Sequence, residues 1–110
     1  MPTNPTTPPD GDYTSTCDSD SSWDGSFTYT NGAISYTRNT TPAGPFSGSN
    51  SDSGNAMNFT ITATINGVSV TMHFVAQTFA WKNGDKAEYK GTCNIQGPGG
   101  GENGWTATQS

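Results

Sequence analysis

Apolar and polar residues alternate along much of this chain, most clearly on both sides of Asn66-Gly67. An Asn-Gly pair between two alternating runs is a strong hairpin signal, because a two-residue type I′ turn needs positive φ at both positions. Folding the chain about this turn places the apolar residues on one face and threonine-rich positions, with His73, on the other. The predicted cross-strand pairs of the apolar face are Ile65 with Val68, Ala63 with Val70, Ile61 with Met72, and Phe59 with Phe74.

A second hairpin is predicted about Asn31-Gly32. It would pair Phe27 with Tyr36 and Tyr29 with Ile34, and all four side chains would lie on one face. We expect this aromatic face to join the apolar face of the hairpin at Asn66-Gly67 in a single core.

A third turn, at Asn83-Gly84, is predicted to contain three residues, with the glycine in the left-handed region. The inward-facing positions change parity before this turn, since Phe74 is even-numbered whereas Phe79 and Trp81 are odd-numbered. A β-bulge near 75–78 would absorb the additional residue.

No segment has a convincing helical period. The alternating runs predict an all-β fold, an antiparallel up-and-down meander that closes into a small barrel of seven to nine strands. Closure would place the first strand beside the last and remove exposed edges. A two-layer β-sandwich is the alternative. The main predicted strands are 12–17, 26–30, 33–37, 45–47, the two halves of 57–76, 86–95 and 105–109.

The N-terminal residues 1–11 are rich in proline and threonine, a composition that favours extended polyproline II. We expect a flexible linker there, followed by a single barrel domain over 12–110. A linker of this kind would suit a tether that holds the domain away from a surface.

The core must be built largely from aromatic residues. The chain has no leucine, and only 29% of its residues are hydrophobic, a composition close to that of disordered chains. It does contain three Trp, four Tyr and five Phe residues. Each aromatic side chain buries about 150–250 Å², so a small number of them can replace the usual aliphatic core.

Cys17 and Cys93 are the only cysteines. Their positions suit one disulfide in an exported protein, although two free buried thiols in a cytosolic protein are the alternative. With the low content of charged residues, the pair predicts an extracellular, periplasmic or cell-surface-tethered protein.

The charge balance is acidic, with a formal net charge of −5 and four basic residues in all. No basic stripe could neutralise phosphates, so nucleic-acid binding is not expected. No apolar run approaches the length of a transmembrane helix. We expect a monomer.

The segments Trp23–Tyr29 and Gly104–Thr108 resemble the opening and closing strands of small Gly/Thr/Ser-rich barrels of exported bacterial proteins, often lipoproteins. The overall plan is similar to the avidin-like and lipocalin-like meander barrels. Ser21 stands where the lipocalin pattern has a glycine two residues before the tryptophan, and no position matches the ligand-binding residues of avidins. The resemblance implies a barrel that is able to hold a small ligand, without identifying that ligand.

Metal binding has two candidate clusters. Asp18, Asp20 and Asp24 could offer hard oxygen ligands to Ca²⁺, but their spacing does not fit an EF-hand, and 50–55 is a weaker Asn/Asp cluster. Such residues more often bond their own backbone in turns, which is the favoured interpretation. His73 has no second metal ligand near it in sequence and is interpreted as a solvated sheet residue.

The candidate ligand-binding residues are aromatic, because they would line an apolar cavity or stack on a ring at the rim. The alternative is that they simply fill the core. No nucleophile elbow, P-loop or dinucleotide fingerprint is present, so neither an enzyme nor a cofactor is expected. The candidates are Trp23, Tyr29, Tyr36, Phe79, Trp81 and Trp105.

Three functions remain open at this point. The first is an exported, non-enzymatic barrel that binds a small apolar or aromatic ligand at one end. The second is a surface interaction or adhesion module that contacts a protein or glycan through loops 38–56 and 96–104. The third is a small proteinase-inhibitor barrel that uses the flexible N-terminus.

Overall fold

The computed structural model describes residues 8–18, 21–50, 57–96 and 102–110. Within these ranges the chain forms eight β-strands and a 3-10 helix at Ser21–Trp23. The all-β prediction is confirmed. The strands are β1 Gly11–Cys17, β2 Gly25–Thr30, β3 Ala33–Arg38, β4 Phe46–Ser49, β5 Asn58–Ile65, β6 Val68–Lys82, β7 Lys86–Gln96 and β8 Glu102–Gln109.

The strands form one antiparallel sheet with the order β4-β3-β2-β1-β8-β7-β6-β5. The first and last strands of the chain pair with each other, as the predicted meander requires. The two ends of the sheet, β4 and β5, meet at a seam that a bridge between Asn50 and Phe59 spans. Gly48 permits the close approach there, since a Cβ at this position would lie 2.7 Å from Ile61 Cδ1. The result is a nearly closed eight-stranded barrel.

The predicted hairpin registers are confirmed. In the β5–β6 hairpin, Ile65 pairs with Val68 and Phe59 with Phe74, and the two intervening apolar pairs also match. In the β2–β3 hairpin, the pairs are those expected about Asn31-Gly32. Alternation therefore sufficed to define which face of each hairpin points inward.

The Asn-Gly turns have the backbone that the sequence predicts. Asn66 and Gly67 have φ of 54° and 79°, and Asn31 and Gly32 have φ of 50° and 91°. The third turn connects Lys82 to Lys86, with φ of 87° at Gly84.

The predicted β-bulge lies on β6, where the register against β7 shifts between Ala76 and Thr78. Gly91 of β7 faces this irregularity. A Cβ on Gly91 would lie 1.8 Å from the carbonyl oxygen of Val75, so no larger residue fits without moving the strand. The bulge brings Phe79 and Trp81 onto the inward face of β6.

Aromatic rings form the centre of the barrel. Phe27 lies 5.9 Å from Tyr36 and 5.2 Å from Phe59, and Phe74 lies 5.1 Å from Tyr36 and 5.0 Å from Phe59, measured between ring centroids. Trp105 packs against three of these rings. Aromatic packing thus supplies the core that leucine would otherwise build.

A chain of hydrogen bonds satisfies the polar atoms inside this core. Trp105 Nε1 donates to Ser15 Oγ at 2.8 Å, and Ser15 Oγ lies 2.8 Å from the Tyr36 hydroxyl. The Tyr36 hydroxyl also contacts the backbone carbonyl of Trp23. Since a carbonyl can only accept, Tyr36 gives its single proton to Trp23, and the Ser15 hydroxyl donates to Tyr36.

The predicted disulfide is present between Cys17 on β1 and Cys93 on β7. β8 lies between these two strands, so the bond joins them across the strand that closes the meander. Both sulfurs are in the core, where Cys17 pairs in register with Trp105 and Cys93 with Phe74. The disulfide is consistent with an oxidising, extracellular type of environment.

One end of the barrel, called here the capped end, is covered by the 3-10 helix. Trp23 turns inward from it and is 2% exposed. The Arg38 guanidinium lies 4.8 Å above the Trp23 ring, and its Nε and Nη1 donate to the carbonyls of Ser22 and Pro42 at 2.8 and 3.1 Å. A largely buried cation is tolerated here because carbonyl dipoles and an aromatic face replace its water.

Two boundaries differ from the expectation. Trp23 belongs to the 3-10 helix and not to an opening strand, because β2 begins only at Gly25. Near the N-terminus, Pro8 is buried and β1 begins at Gly11, so 8–11 packs with the barrel although its composition is that of the linker.

Candidate functional site

Three of the predicted ligand-binding residues lie within the packed core. Trp23, Tyr36 and Trp105 are each at most 2% exposed, and other aromatic rings surround them. The Tyr36 hydroxyl and the Trp105 indole are also fully engaged with protein atoms. Filling the barrel accounts for these three side chains without a ligand.

The other three candidates, of which Tyr29 is also buried, lie toward the opposite end of the barrel, called here the arm end. β6 has 15 residues, but β5 pairs with it only as far as Val75. Beyond the bulge, the stretch 77–82 of β6 pairs, among the described strands, with β7 alone. This stretch and the start of β7, with their turn, form an arm that extends past β5. Phe79 and Trp81 lie on the arm, and Tyr29 lies at the end of β2 on the same side.

A continuous series of rings connects the core to the arm. Phe27 stacks on Tyr13 at 5.1 Å, and Tyr13 lies 6.3 Å from Tyr89. Tyr89 in turn lies 5.0 Å from Phe79, which meets Trp81 edge-on at 5.1 Å. Tyr13 and Tyr89 are completely buried, whereas Phe79 and Trp81 are half-buried. The half-buried end of the series therefore borders the core.

Three tyrosines converge near this half-buried end, from β1, β2 and β7. Burial raises the pKa of both Tyr13 and Tyr89, and the nearby phenol of Tyr29 raises each of them further. Tyr13 donates its hydroxyl proton to the Pro9 carbonyl at 2.7 Å, and the Tyr29 hydroxyl accepts a long bond of 3.4 Å from Asn50 Nδ2. We call Tyr13, Tyr29 and Tyr89 the tyrosine cluster.

The hydroxyl of Tyr89 is the exception in this cluster. It is buried, and it has no hydrogen-bond partner within the part of the chain that the structure describes. Among the described residues, it is the only buried side-chain nitrogen or oxygen atom that has no hydrogen-bond partner. Leaving a buried hydroxyl unpaired is unfavourable, so the group calls for a specific explanation.

The segment before β1 is held against the arm end by backbone and side-chain bonds. Asp10 Oδ1 accepts from the Asn31 backbone N–H at 2.9 Å, and the Asp10 carbonyl accepts from Gln109 Nε2 at 3.2 Å. With the bond from Tyr13 to Pro9, these contacts place 8–10 beside the tyrosine cluster.

The charged residues of the arm lie on its outer face. Glu88 is 3.9 Å from both Lys82 and Lys90, and the Thr108 hydroxyl donates to it at 3.4 Å. Surface ion pairs of this kind contribute little stability. Strand alternation places Lys82, Glu88 and Lys90 on the face opposite Phe79 and Trp81.

His73 lies on the outer, threonine-bearing face, as the alternation predicts. It is half-buried, however, and its Nε2 lies 2.6 Å from Asn58 Oδ1. The Asn58 backbone N–H donates to Asn50 Oδ1 at 2.8 Å. His73 therefore belongs to the hydrogen bonds that hold β4 and β5 together at the seam.

Asp24, one of the candidate metal ligands, has a structural contact. Asp24 Oδ1 accepts from the Cys17 backbone N–H at 2.8 Å, a bond that ties the segment before β2 to the end of β1. Asp20 and 51–55 lie outside the described residues. Over the described ranges no three His, Cys, Asp or Glu side chains are grouped so as to hold a metal ion.

The interaction loops proposed from the sequence are described only in part. Positions 51–56 and 97–101 lie outside the described residues, so the adhesion hypothesis for loops 38–56 and 96–104 stays a prediction. The inhibitor hypothesis rests on the N-terminus, of which 1–7 are likewise outside, and it also stays a prediction. Among the described residues no helix is long and apolar enough to cross a membrane.

Tyr13 and Tyr89 are the site residues that the sequence did not single out. Both lie at inward positions of their strands, so alternation marks them as buried. Their convergence depends on β1, β8 and β7 being adjacent, which no local pattern specifies. None of the protein-family models, curated proteins or solved structures matches this chain.

Proposed function

We propose that this protein is an exported, monomeric, non-enzymatic β-barrel that binds a small apolar or aromatic ligand at its arm end. The observation that carries the proposal is the series of rings from the core to the half-buried Phe79 and Trp81. Ligand sites are concave and mostly apolar, with a few polar groups that set orientation. The arm end combines both kinds of group.

Several features support this choice of end over the barrel centre. The central rings pack against one another at centroid distances of 5.0–6.4 Å, and their hydroxyl and indole groups are engaged internally. Arg38 and Trp23 occupy the capped end. The arm end alone joins half-buried rings to a buried hydroxyl without a described partner. The disulfide supports export. The resemblance to meander barrels that hold small ligands supports ligand binding.

The three tryptophans offer a direct test, because they lie at different depths. Titration of the protein with acetophenone and ethylbenzene, followed by heteronuclear NMR, should shift the indole N–H signal of Trp81. The signals of Trp23 and Trp105 should stay in place, because both side chains are enclosed by the core. The variant Trp81→Phe assigns its signal by removing it.

A pair of matched variants distinguishes probe binding at the arm end from nonspecific binding of the probe to any partly exposed aromatic side chain. Phe79→Ala should weaken probe binding about tenfold or more, since it removes one of the two half-buried rings of the arm. Phe46→Ala, a half-buried phenylalanine at the start of β4 toward the capped end, should leave it unchanged. Equal effects of the two variants, or shifts at Trp23 and Trp105 alone, would contradict the proposal.

A further inference from the structure

Resting on the proposed function, we infer that the ligand of the arm end is an uncharged aromatic compound with a hydrogen-bond acceptor such as a ketone. The Tyr89 hydroxyl would donate to that acceptor while Phe79 and Trp81 contact the aromatic body. The inference begins with the unpartnered hydroxyl on a side chain that is 0% exposed.

A comparison with Tyr36 shows why the hydroxyl needs an explanation. Both residues are tyrosines with no exposed surface, and both pack against several rings. The Tyr36 hydroxyl has two partners, whereas that of Tyr89 has none among the described residues. Phenylalanine would supply the same ring contacts at the Tyr89 position without burying an unpaired group.

The hydroxyl can act as a donor. Burial raises the pKa of Tyr89, so its proton stays in place at neutral pH. Tyr13, the neighbouring phenol, already gives its proton to Pro9. A ligand that pairs with Tyr89 therefore needs an acceptor atom, and a carbonyl oxygen is the simplest one.

The surroundings favour a neutral acceptor over an anion. The Asp10 carboxylate is close enough to raise the pKa of Tyr13, so the arm end already carries negative charge. The lysines of the arm lie on its outer face, where Glu88 pairs with Lys82 and Lys90, and Lys86 stands opposite Lys82 in register. No described cation faces the tyrosine cluster to compensate a carboxylate, which would be costly to desolvate.

Three probes of similar size test the inference: acetophenone, ethylbenzene and benzoate. Each is titrated into the wild-type protein and into Tyr89→Phe, with the Trp81 indole signal as the readout. The variant Tyr89→Phe should bind acetophenone about tenfold more weakly than wild-type protein does. The two proteins should bind ethylbenzene equally well. Each probe is compared with itself in the two proteins, so the difference in hydrophobicity between acetophenone and ethylbenzene does not affect the comparison of the two fold-changes in affinity. Benzoate should bind more weakly than acetophenone.

The outcomes separate the inference from the function on which it rests. Equal changes for acetophenone and ethylbenzene on Tyr89→Phe would overturn the inference and leave an ordered water as the partner of Tyr89. Tighter binding of benzoate would overturn the neutral acceptor. Binding of no probe by wild-type protein would instead contradict the proposed function.

A measurement on the wild-type protein keeps the inference testable if Tyr89→Phe folds poorly. Intermolecular nuclear Overhauser effects should connect the acetyl methyl group of acetophenone to the Tyr89 ring, and its phenyl protons to Phe79 and Trp81. The reverse orientation, with the acetyl group at Trp81, would overturn the inference.

Discussion

At the scale of single residues, the barrel uses the same side chain in two ways. Tyr36 is a structural tyrosine, whose hydroxyl continues a chain of hydrogen bonds from Trp105 through Ser15 to Trp23. Tyr89 is equally buried, but its hydroxyl has no partner within the described residues. Burial alone therefore does not reveal which tyrosine hydroxyl is engaged by the fold and which has no partner among the described residues.

Substituting phenylalanine at each position should separate these two uses. Tyr36→Phe should lower the free energy of unfolding by about 1–3 kcal/mol, because the Trp23 carbonyl loses its donor and the Ser15 hydroxyl loses its acceptor. Tyr89→Phe should change it by less than about 0.5 kcal/mol or increase it, since it removes an unpaired hydroxyl. Urea unfolding followed by circular dichroism measures both. A loss at Tyr89 as large as that at Tyr36 would show that the Tyr89 hydroxyl has a structural partner.

At the scale of strands, the bulge on β6 is what creates the arm end. If β6 alternated without a bulge between Ala76 and Thr78, Phe79 and Trp81 would fall on the outer face and Lys82 on the inner face. Gly91 makes the bulge possible by leaving space for the Val75 carbonyl. The sequence predicted this irregularity, because inward-facing residues at even and odd positions cannot lie on the same face of one uninterrupted strand.

Two glycine substitutions should differ sharply in their effect on this element. Gly91→Ala should destabilise the protein by about 3 kcal/mol or more, since the new Cβ would lie 1.8 Å from the Val75 oxygen. Gly67→Ala is the matched control, because its Cβ meets no atom within 4 Å and only the positive φ of 79° opposes it. It should cost about 1–2 kcal/mol. Chemical denaturation of both variants measures the difference, and equal losses would mean that the bulge adapts readily.

At the scale of the whole molecule, the barrel is closed by different means on its two sides. β1 and β8 pair along five positions and are backed by the disulfide between β1 and β7. β4 and β5 meet at a single bridge, supported by the bonds among Asn50, Asn58 and His73. The seam is thus the less extensively paired closure among the described strands.

Removing the disulfide should weaken the whole fold. The bond closes a sequence separation of 76 residues, for which the loss of chain entropy in the unfolded state corresponds to about 4 kcal/mol. The double variant Cys17→Ala/Cys93→Ala should lose a comparable amount, measured by urea unfolding against the oxidised protein. Wild-type protein in reductant is the control, and full stability of the double variant would show that closure does not depend on the bond.

Stability should also decline in alkaline solution. Burial raises the pKa of Tyr13, Tyr36 and Tyr89 above the usual value of about 10, so these hydroxyls remain protonated in the fold while they ionise in the unfolded chain. Their contribution is complete below about pH 10 and is lost as the pH rises above it. Urea unfolding at a series of pH values should show this decline, with tyrosinate absorbance rising together with unfolding. Ionisation of all tyrosines in the folded protein at about pH 10 would contradict it.

The properties that could be predicted from the sequence are those with a local cause. Asn-Gly pairs set the turns, alternation set the inward faces and hairpin registers, and the change of parity located the bulge. The Cys17–Cys93 bond could also be predicted, because the chain has only these two cysteines.

The depth of each side chain within the barrel was decided only by the tertiary structure. Alternation marks Trp105 and Phe79 equally as inward, yet one lies in the core and the other on the arm. The difference arises from the unequal lengths of β5 and β6 and from pairing between strands distant in sequence. The same long-range pairing gathers Tyr13, Tyr29 and Tyr89 at the arm end and leaves one of their hydroxyls unpartnered among the described residues, because a two-residue period carries no information about position along the barrel axis.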